Sequence, residues 1–176
     1  LSFIDWHCDW QKEKGEDLPY LIVAPVALLE NWKEEYSKFF NENLSFHPYY
    51  GVARKQIELK KLGRRDLVLT SYETMVRDQL SIGMVHWSAC FLDEAQKIKS
   101  PRTLTTNTAK ALNSNFKVAL TGTPVENSLL DFWCLMDFVY PGYLGSAKSF
   151  LEEFRVGNSE ESEFDVIGKK VREKVQ

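Results

Sequence analysis

Three stretches of this chain carry unbroken apolar runs rather than alternating ones: YLIVA at Tyr20–Ala24, the Leu-Val-Leu within DLVLTS at Asp66–Ser71, and the first four residues of ACFLD at residues 89–93. A strand with one wet face alternates polar and apolar residues, so runs like these must be covered on both faces, as parallel strands are. Residues 44–50 and FKVALT at residues 116–121 are further strand candidates. Between them lie helical patterns. In VALLENWKEEYSKFF, the residues Leu28, Leu29, Trp32, Tyr36, Phe39 and Phe40 recur at three- and four-residue spacing and predict one apolar stripe. A second helix is expected from Tyr72, with Met75, Val76 and Leu80 inward. A third is expected to open at Ser100, a capping residue, with Pro101 in the first helical position. A fourth, over residues 128–140, is apolar nearly all round and stops at Pro141-Gly142. The first ten residues, LSFIDWHCDW, read as the middle of a helix. Strands alternating with helices predict an open α/β sheet.

A chain of 176 residues fits one domain. The tail from Leu151, with seven acids and five bases, reads as a connecting segment. Three cysteines (Cys8, Cys90, Cys134), widely spaced and without a CxxC pair, exclude a disulfide framework and favour a reducing compartment. The apolar run from Tyr20 to Leu29 is too short to span a bilayer and contains Pro25, and no secretory signal is visible. The net charge is −3, yet the cations are clustered. Six of them (Arg54, Lys55, Lys60, Lys61, Arg64, Arg65) face one acid, Glu58, and Lys97, Lys99, Arg102 and Lys110 follow with no acid among them. Phosphate backbones require such clusters, and solvated helix faces also carry them.

In doubly wound sheets, ligands bind outside the carboxyl ends of the strands. ACFLD runs into Asp93-Glu94, a carboxylate pair of the kind that magnesium-assisted phosphoryl transfer uses and that also caps helices. FKVALT runs into Gly122-Thr123-Pro124, where small residues and hydroxyls allow close approach to an anion or merely turn the chain. DLVLTS ends in Thr70-Ser71, whose hydroxyls could take phosphates or cap the next helix.

Taken in order, LIVAPVALLENWKEE, DLVLTSYET, FLDEAQKIKS and ALTGTPVEN resemble the first motor lobe of superfamily-two nucleic-acid ATPases. More narrowly, they resemble the Swi/Snf family of double-stranded-DNA translocases. The narrowing rests on Leu29 to Trp32, on Lys97-Ile98-Lys99-Ser100, and on Leu120 to Gly145, and the resemblance covers residues 21–154. It implies a RecA-like lobe of the P-loop NTPase type over residues 1–150: a mostly parallel sheet with flanking helices that lacks the P-loop strand. Residues 151–176 would then connect to a second RecA-like lobe. It also implies ATP and Mg2+ as cofactors and the double-stranded DNA backbone as partner.

Residue by residue, the resemblance implies that Asp93 holds magnesium through water and that Glu94 is the general base. Gln96 stands where histidine is usual and would sense the γ-phosphate. It can donate a hydrogen bond but cannot titrate. Thr121 and Thr123 would link nucleotide state to lobe closure. Pro25, Thr70 and Ser71 would lie along DNA phosphates, with Lys97, Lys99 and Arg102 nearby, contacts that position without reading sequence.

The family's GxxxxGK[ST] loop is missing from this sequence: none of the nine glycines precedes Lys-Ser or Lys-Thr. LSFIDWH resembles the helix that follows that loop, so the loop is expected just upstream of Leu1. On that expectation these residues alone neither bind ATP tightly nor hydrolyse it, and they are poorly stable. Two alternatives are a degenerate, non-catalytic DNA- or protein-binding module and a strand-separating helicase acting on RNA or single strands. Retention of Asp93-Glu94 with Leu120 to Pro124 weighs against the first, and Lys97-Ile98-Lys99 with Asn31-Trp32 against the second. The expected setting is intracellular: cytoplasmic if the source is bacterial, nuclear if eukaryotic.

Overall fold

All five runs form strands in the computed structural model, which describes residues 1–40, 44–122 and 129–154. They are β1 (Tyr20–Ala24), β2 (Ser45–Pro48), β3 (Asp66–Ser71), β4 (Trp87–Leu92) and β5 (Ser114–Ala119). Every pairing is parallel, and the order across the sheet is β2-β3-β1-β4-β5. This is the RecA-like arrangement. β1 and β4 are buried at every position, which is why their sequences do not alternate. β4 and β5 each start two residues before their apolar runs, because they pair with each other from Trp87↔Ser114 onward. β5 lies at the edge of the sheet and is half-exposed.

Seven helices flank the sheet among the described residues: α1 (Ser2–Lys14), α2 (Leu29–Phe39), α3 (Tyr72–Arg77), α4 (Gln79–Gly83), α5 (Leu104–Lys110), α6 (Leu129–Val139) and α7 (Ala147–Phe154). On one face, Ile4 and Leu29 pack with Phe40 against Tyr20, Ile22, Leu67 and Phe91. On the other, Met75, Ile82, Ala109 and Phe138 cover Leu21, Val23, Val68 and Leu92. A third cluster joins α6 to α7 through Trp133, Cys134 and Phe150. α7 crosses the boundary expected at residue 150, and the connecting segment from residue 155 onward lies outside the described residues. Among the described residues, no helix is long and apolar enough to cross a membrane.

A buried polar net fastens α1 to β1. The Tyr20 hydroxyl accepts from Gln11 Nε2 at 2.8 Å and meets His7 Nδ1 at 3.0 Å, while Gln11 also satisfies both backbone groups of Leu18. Burial holds the His7 imidazole below its usual value, so it sits in this core as a neutral ring.

Three expected details differ. Leu80 is 78% exposed, because Asp78 (φ −105°, ψ 28°) breaks the helix between α3 and α4, and the restarted turn puts Ile82 inward instead. Phe39 is exposed at the end of α2, where its neighbour Phe40 takes the buried position. The third helix opens at Leu104, not at Pro101. Thr103 Oγ1 accepts the Thr106 N–H at 3.2 Å and so caps the helix, while Ser100 offers only its carbonyl to Thr103. Thr103→Ala is therefore expected to cost about 1 kcal/mol, and Ser100→Ala less than about 0.5 kcal/mol, read from urea unfolding midpoints. Equal costs would put the cap back at Ser100.

Candidate functional site

Parallel strands bring their carboxyl ends to one edge, so the turns at Pro25, Ser71, Asp93 and Thr121 share it. The ladder extends slightly past the strands there. Asp93 N–H donates to the Val23 carbonyl, Leu120 N–H to Leu92, and Ala95 N–H to Leu120, at 2.8, 2.8 and 2.9 Å. These bonds hold the acidic turn against both neighbouring strands.

Asp93 is fixed from three directions. Its Oδ1 accepts the Glu94 N–H at 3.0 Å, and its Oδ2 accepts the indole N–H of Trp32 at 2.7 Å. Its carbonyl accepts the Tyr72 hydroxyl at 2.8 Å. Burial, with the Asp93 and Glu94 carboxylates beside it, pushes the Tyr72 phenol well above its ordinary value, so it stays protonated and donates. Glu94 has φ 50°, the sole left-handed non-glycine residue among those described. Such strain gathers at functional sites.

Gln96 connects this turn to β5. Its Nε2 donates to Glu94 Oε2 at 2.5 Å, and its Oε1 accepts the Thr121 hydroxyl at 2.9 Å. A carboxylate only accepts, so the amide nitrogen must face Glu94 and the amide oxygen is left for Thr121. Next to Asp93, a pocket of about 330 Å³ is lined by Leu1, Asn31, Trp32 and Phe39.

The expected nucleic-acid residues separate into two groups. Lys97, Lys99 and Arg102 are exposed and carry no ion pair among the described residues. Pro25 is half-buried, its carbonyl accepting the Leu28 N–H. Thr70 and Ser71 are buried, with their hydroxyls bonded inside the protein: Thr70 donates to the Tyr49 carbonyl at 2.7 Å, and Ser71 Oγ caps α3 by accepting the Thr74 N–H at 3.1 Å. Any phosphate contact at this turn falls to the backbone, since both hydroxyls are spent. Thr123 lies outside the described residues. In the basic run 54–65, Arg54 pairs with Asp78, Lys61 with Glu58 and Arg64 with Asp17, so half of those cations are internally paired. Trp32 and Tyr72 are the site residues that motif spacing missed. Trp32 stood in the apolar stripe and in the stretch Leu29 to Trp32 with no role of its own, Tyr72 stood at a helix opening, and the signal each carried was an aromatic ring with a polar tip.

The sequence model of the SNF2-related domain matches residues 1–172. The chain belongs to the SNF2-related domain family. It is 38% identical over 171 residues to the Zorya protein ZorD of Escherichia coli, and the match covers 85% of this chain and 16% of that protein. It is 35% identical over 156 residues to the chromatin-remodeling ATPase INO80 of Arabidopsis thaliana, covering 83% of this chain and 10% of that one. This SNF2-related domain therefore spans a sixth or less of the length of these curated relatives. Its fold is similar to the Sulfolobus solfataricus SWI2/SNF2 ATPase core in complex with dsDNA. There the TM-score is 0.75 at 35% identity, covering 92% of this chain and 34% of that one.

Proposed function

We propose that this SNF2-related lobe is the first motor lobe of an ATP-driven double-stranded-DNA translocase that remodels protein–DNA complexes. One observation carries the proposal: a single hydrogen-bonded chain, Glu94–Gln96–Thr121, joins the turns after β4 and β5 beside Asp93. Such a chain lets the group that activates water and the segment that moves with nucleotide state respond to each other. Glu94 is the base that orients and deprotonates the attacking water. Gln96 holds Glu94 and reports its state to Thr121, with Thr123 following in the same segment.

The donor set around Asp93 suits magnesium. Each carboxylate oxygen accepts one protein hydrogen bond and keeps a lone pair for a metal-bound water. Among the described residues no three His, Cys, Asp or Glu side chains gather as ligands. Magnesium keeps several of its waters and binds through one or two carboxylates and the nucleotide's own oxygens. When bound, magnesium neutralises the charge of the β- and γ-phosphates. Lys97, Lys99 and Arg102, with backbone near Pro25 and Ser71, follow one DNA strand's phosphates. The Sulfolobus structure, an ATPase core in complex with dsDNA, supports duplex DNA as the kind of partner. The second RecA-like lobe is the partner that closes over the nucleotide. Three free thiols support a reducing intracellular setting, cytoplasmic or nuclear according to source.

The test is ATP hydrolysis by the native protein carrying this sequence, without nucleic acid, with single strands and with duplex. Duplex is expected to stimulate hydrolysis several-fold over single strands. Stimulation by single strands or RNA alone would replace the proposal with a strand-separating helicase. Duplex binding without hydrolysis would replace it with a binding module.

A further inference from the structure

We infer that Trp32 is the positioning residue for the Asp93 carboxylate and ties the turn after β1 to the magnesium site; this rests on the nucleotide reading above. The two residues are 61 positions apart in sequence and meet at 2.7 Å. An indole N–H can only donate, and a carboxylate can only accept, so the polarity of the contact is fixed. Bonds of this kind to a charged oxygen are short and about twice as strong as neutral ones.

Trp32 packs against the core cluster with Leu28 and Tyr36, and what sets it apart is the N–H that reaches Asp93. Leu29 of the same stripe is 4% exposed and Phe40 is 7% exposed, while Trp32 is half-buried and borders the pocket that reaches Asp93. The terminal torsion of an aspartate is soft. Two donors from different elements, Trp32 on Oδ2 and Glu94 N–H on Oδ1, remove that freedom.

The bond also crosses the point where strand order reverses. β1 lies between β3 and β4, and the chain leaves β1 toward β2 on the far side of β3. Ligands in open α/β sheets bind at such a point. α2 begins one short 3-10 turn after Pro25, so the helix that bears Trp32 starts at the turn assigned to a DNA strand. Tyr72 repeats the pattern: it directly follows Ser71, opens α3, and donates to the Asp93 carbonyl. Two turns on the DNA edge thus each send one hydrogen bond to Asp93, and Trp32 is the one that reaches its carboxylate.

Trp32→Phe in the native protein keeps the ring and removes the donor. The readout is the magnesium concentration needed for half-maximal binding of a fluorescent, non-hydrolysable ATP analogue. That concentration is expected to rise about tenfold, as for other residues that orient metal ligands. Binding of the analogue in EDTA and the far-ultraviolet circular dichroism should stay as in wild type. A folded W32F protein with wild-type magnesium dependence overturns this inference alone. Wild-type protein that binds no analogue overturns the nucleotide reading with it. A measurement on the unmutated protein covers the case in which W32F does not fold. Manganese added with the analogue is expected to broaden one tryptophan indole N–H resonance in a nitrogen-15 spectrum, and no broadening of any of them overturns the inference.

Discussion

Glu94→Gln in the native protein is expected to lower kcat for ATP hydrolysis by about 10²–10⁴-fold, the range a general base supplies, while nucleotide binding is retained. The substitution keeps the shape of the side chain and leaves an oxygen to accept from Gln96 Nε2, so the link toward Thr121 survives. Backbone strain at φ 50° is the same for both residues, since neither is β-branched. What is lost is the capacity to take a proton from water. Binding and hydrolysis should therefore separate, with KM near wild type and kcat collapsed. A kcat within about tenfold of wild type would remove Glu94 from the role of base. Gln96→Leu gives a useful contrast, because it leaves the Glu94 carboxylate intact but unheld and cuts the contact with Thr121. Its loss should be smaller than that of E94Q.

The sheet was legible in the sequence wherever burial on both faces had removed the polar alternation. β1 and β3 match their apolar runs residue for residue, and β4 and β5 differ only at their ends, where pairing with a neighbour overrides hydropathy. The helix ends were less legible. Ser100-Pro101 and Thr103 are both plausible openings, and only the geometry of the Thr106 N–H selects between them. Leu80 followed the helical period that the chain abandons at Asp78.

The acidic turn was ambiguous from residue chemistry alone and was named through the resemblance; the structure brings Asp93, Glu94, Gln96 and Thr121 together at one sheet edge. The hydroxyls of Thr70 and Ser71 were ambiguous for a physical reason: a Ser or Thr at a strand's end can face a ligand or satisfy its own backbone, and here both do the latter. Trp32 was illegible as a site residue because period alone assigns an aromatic to the core without saying where its N–H points.

The other large effect lies at the far end of β4 from the acidic turn. Trp87 is fully buried in the larger core cluster, and its indole N–H donates to the Ile82 carbonyl at 3.0 Å. Trp87→Ala is expected to destabilise the fold by about 3–5 kcal/mol, the range for truncating a buried tryptophan. Natural domains hold only about 5–15 kcal/mol in total, so the urea midpoint should fall by a large fraction of its value. Trp87→Phe keeps most of the packing and removes one of the bonds to the Ile82 carbonyl, which still accepts the Val85 N–H at 3.3 Å, at a cost of about 0.5–1.5 kcal/mol. A six-residue strand rises about 3.3 Å per residue, so Trp87 stands far from Asp93 along β4. Folded W87F protein should therefore keep wild-type magnesium dependence and kcat. If W87F instead lowers kcat in step with stability, the acidic turn is held by the global fold. If kcat survives the loss of stability, the turn is held locally by Trp32, Tyr72 and Gln96.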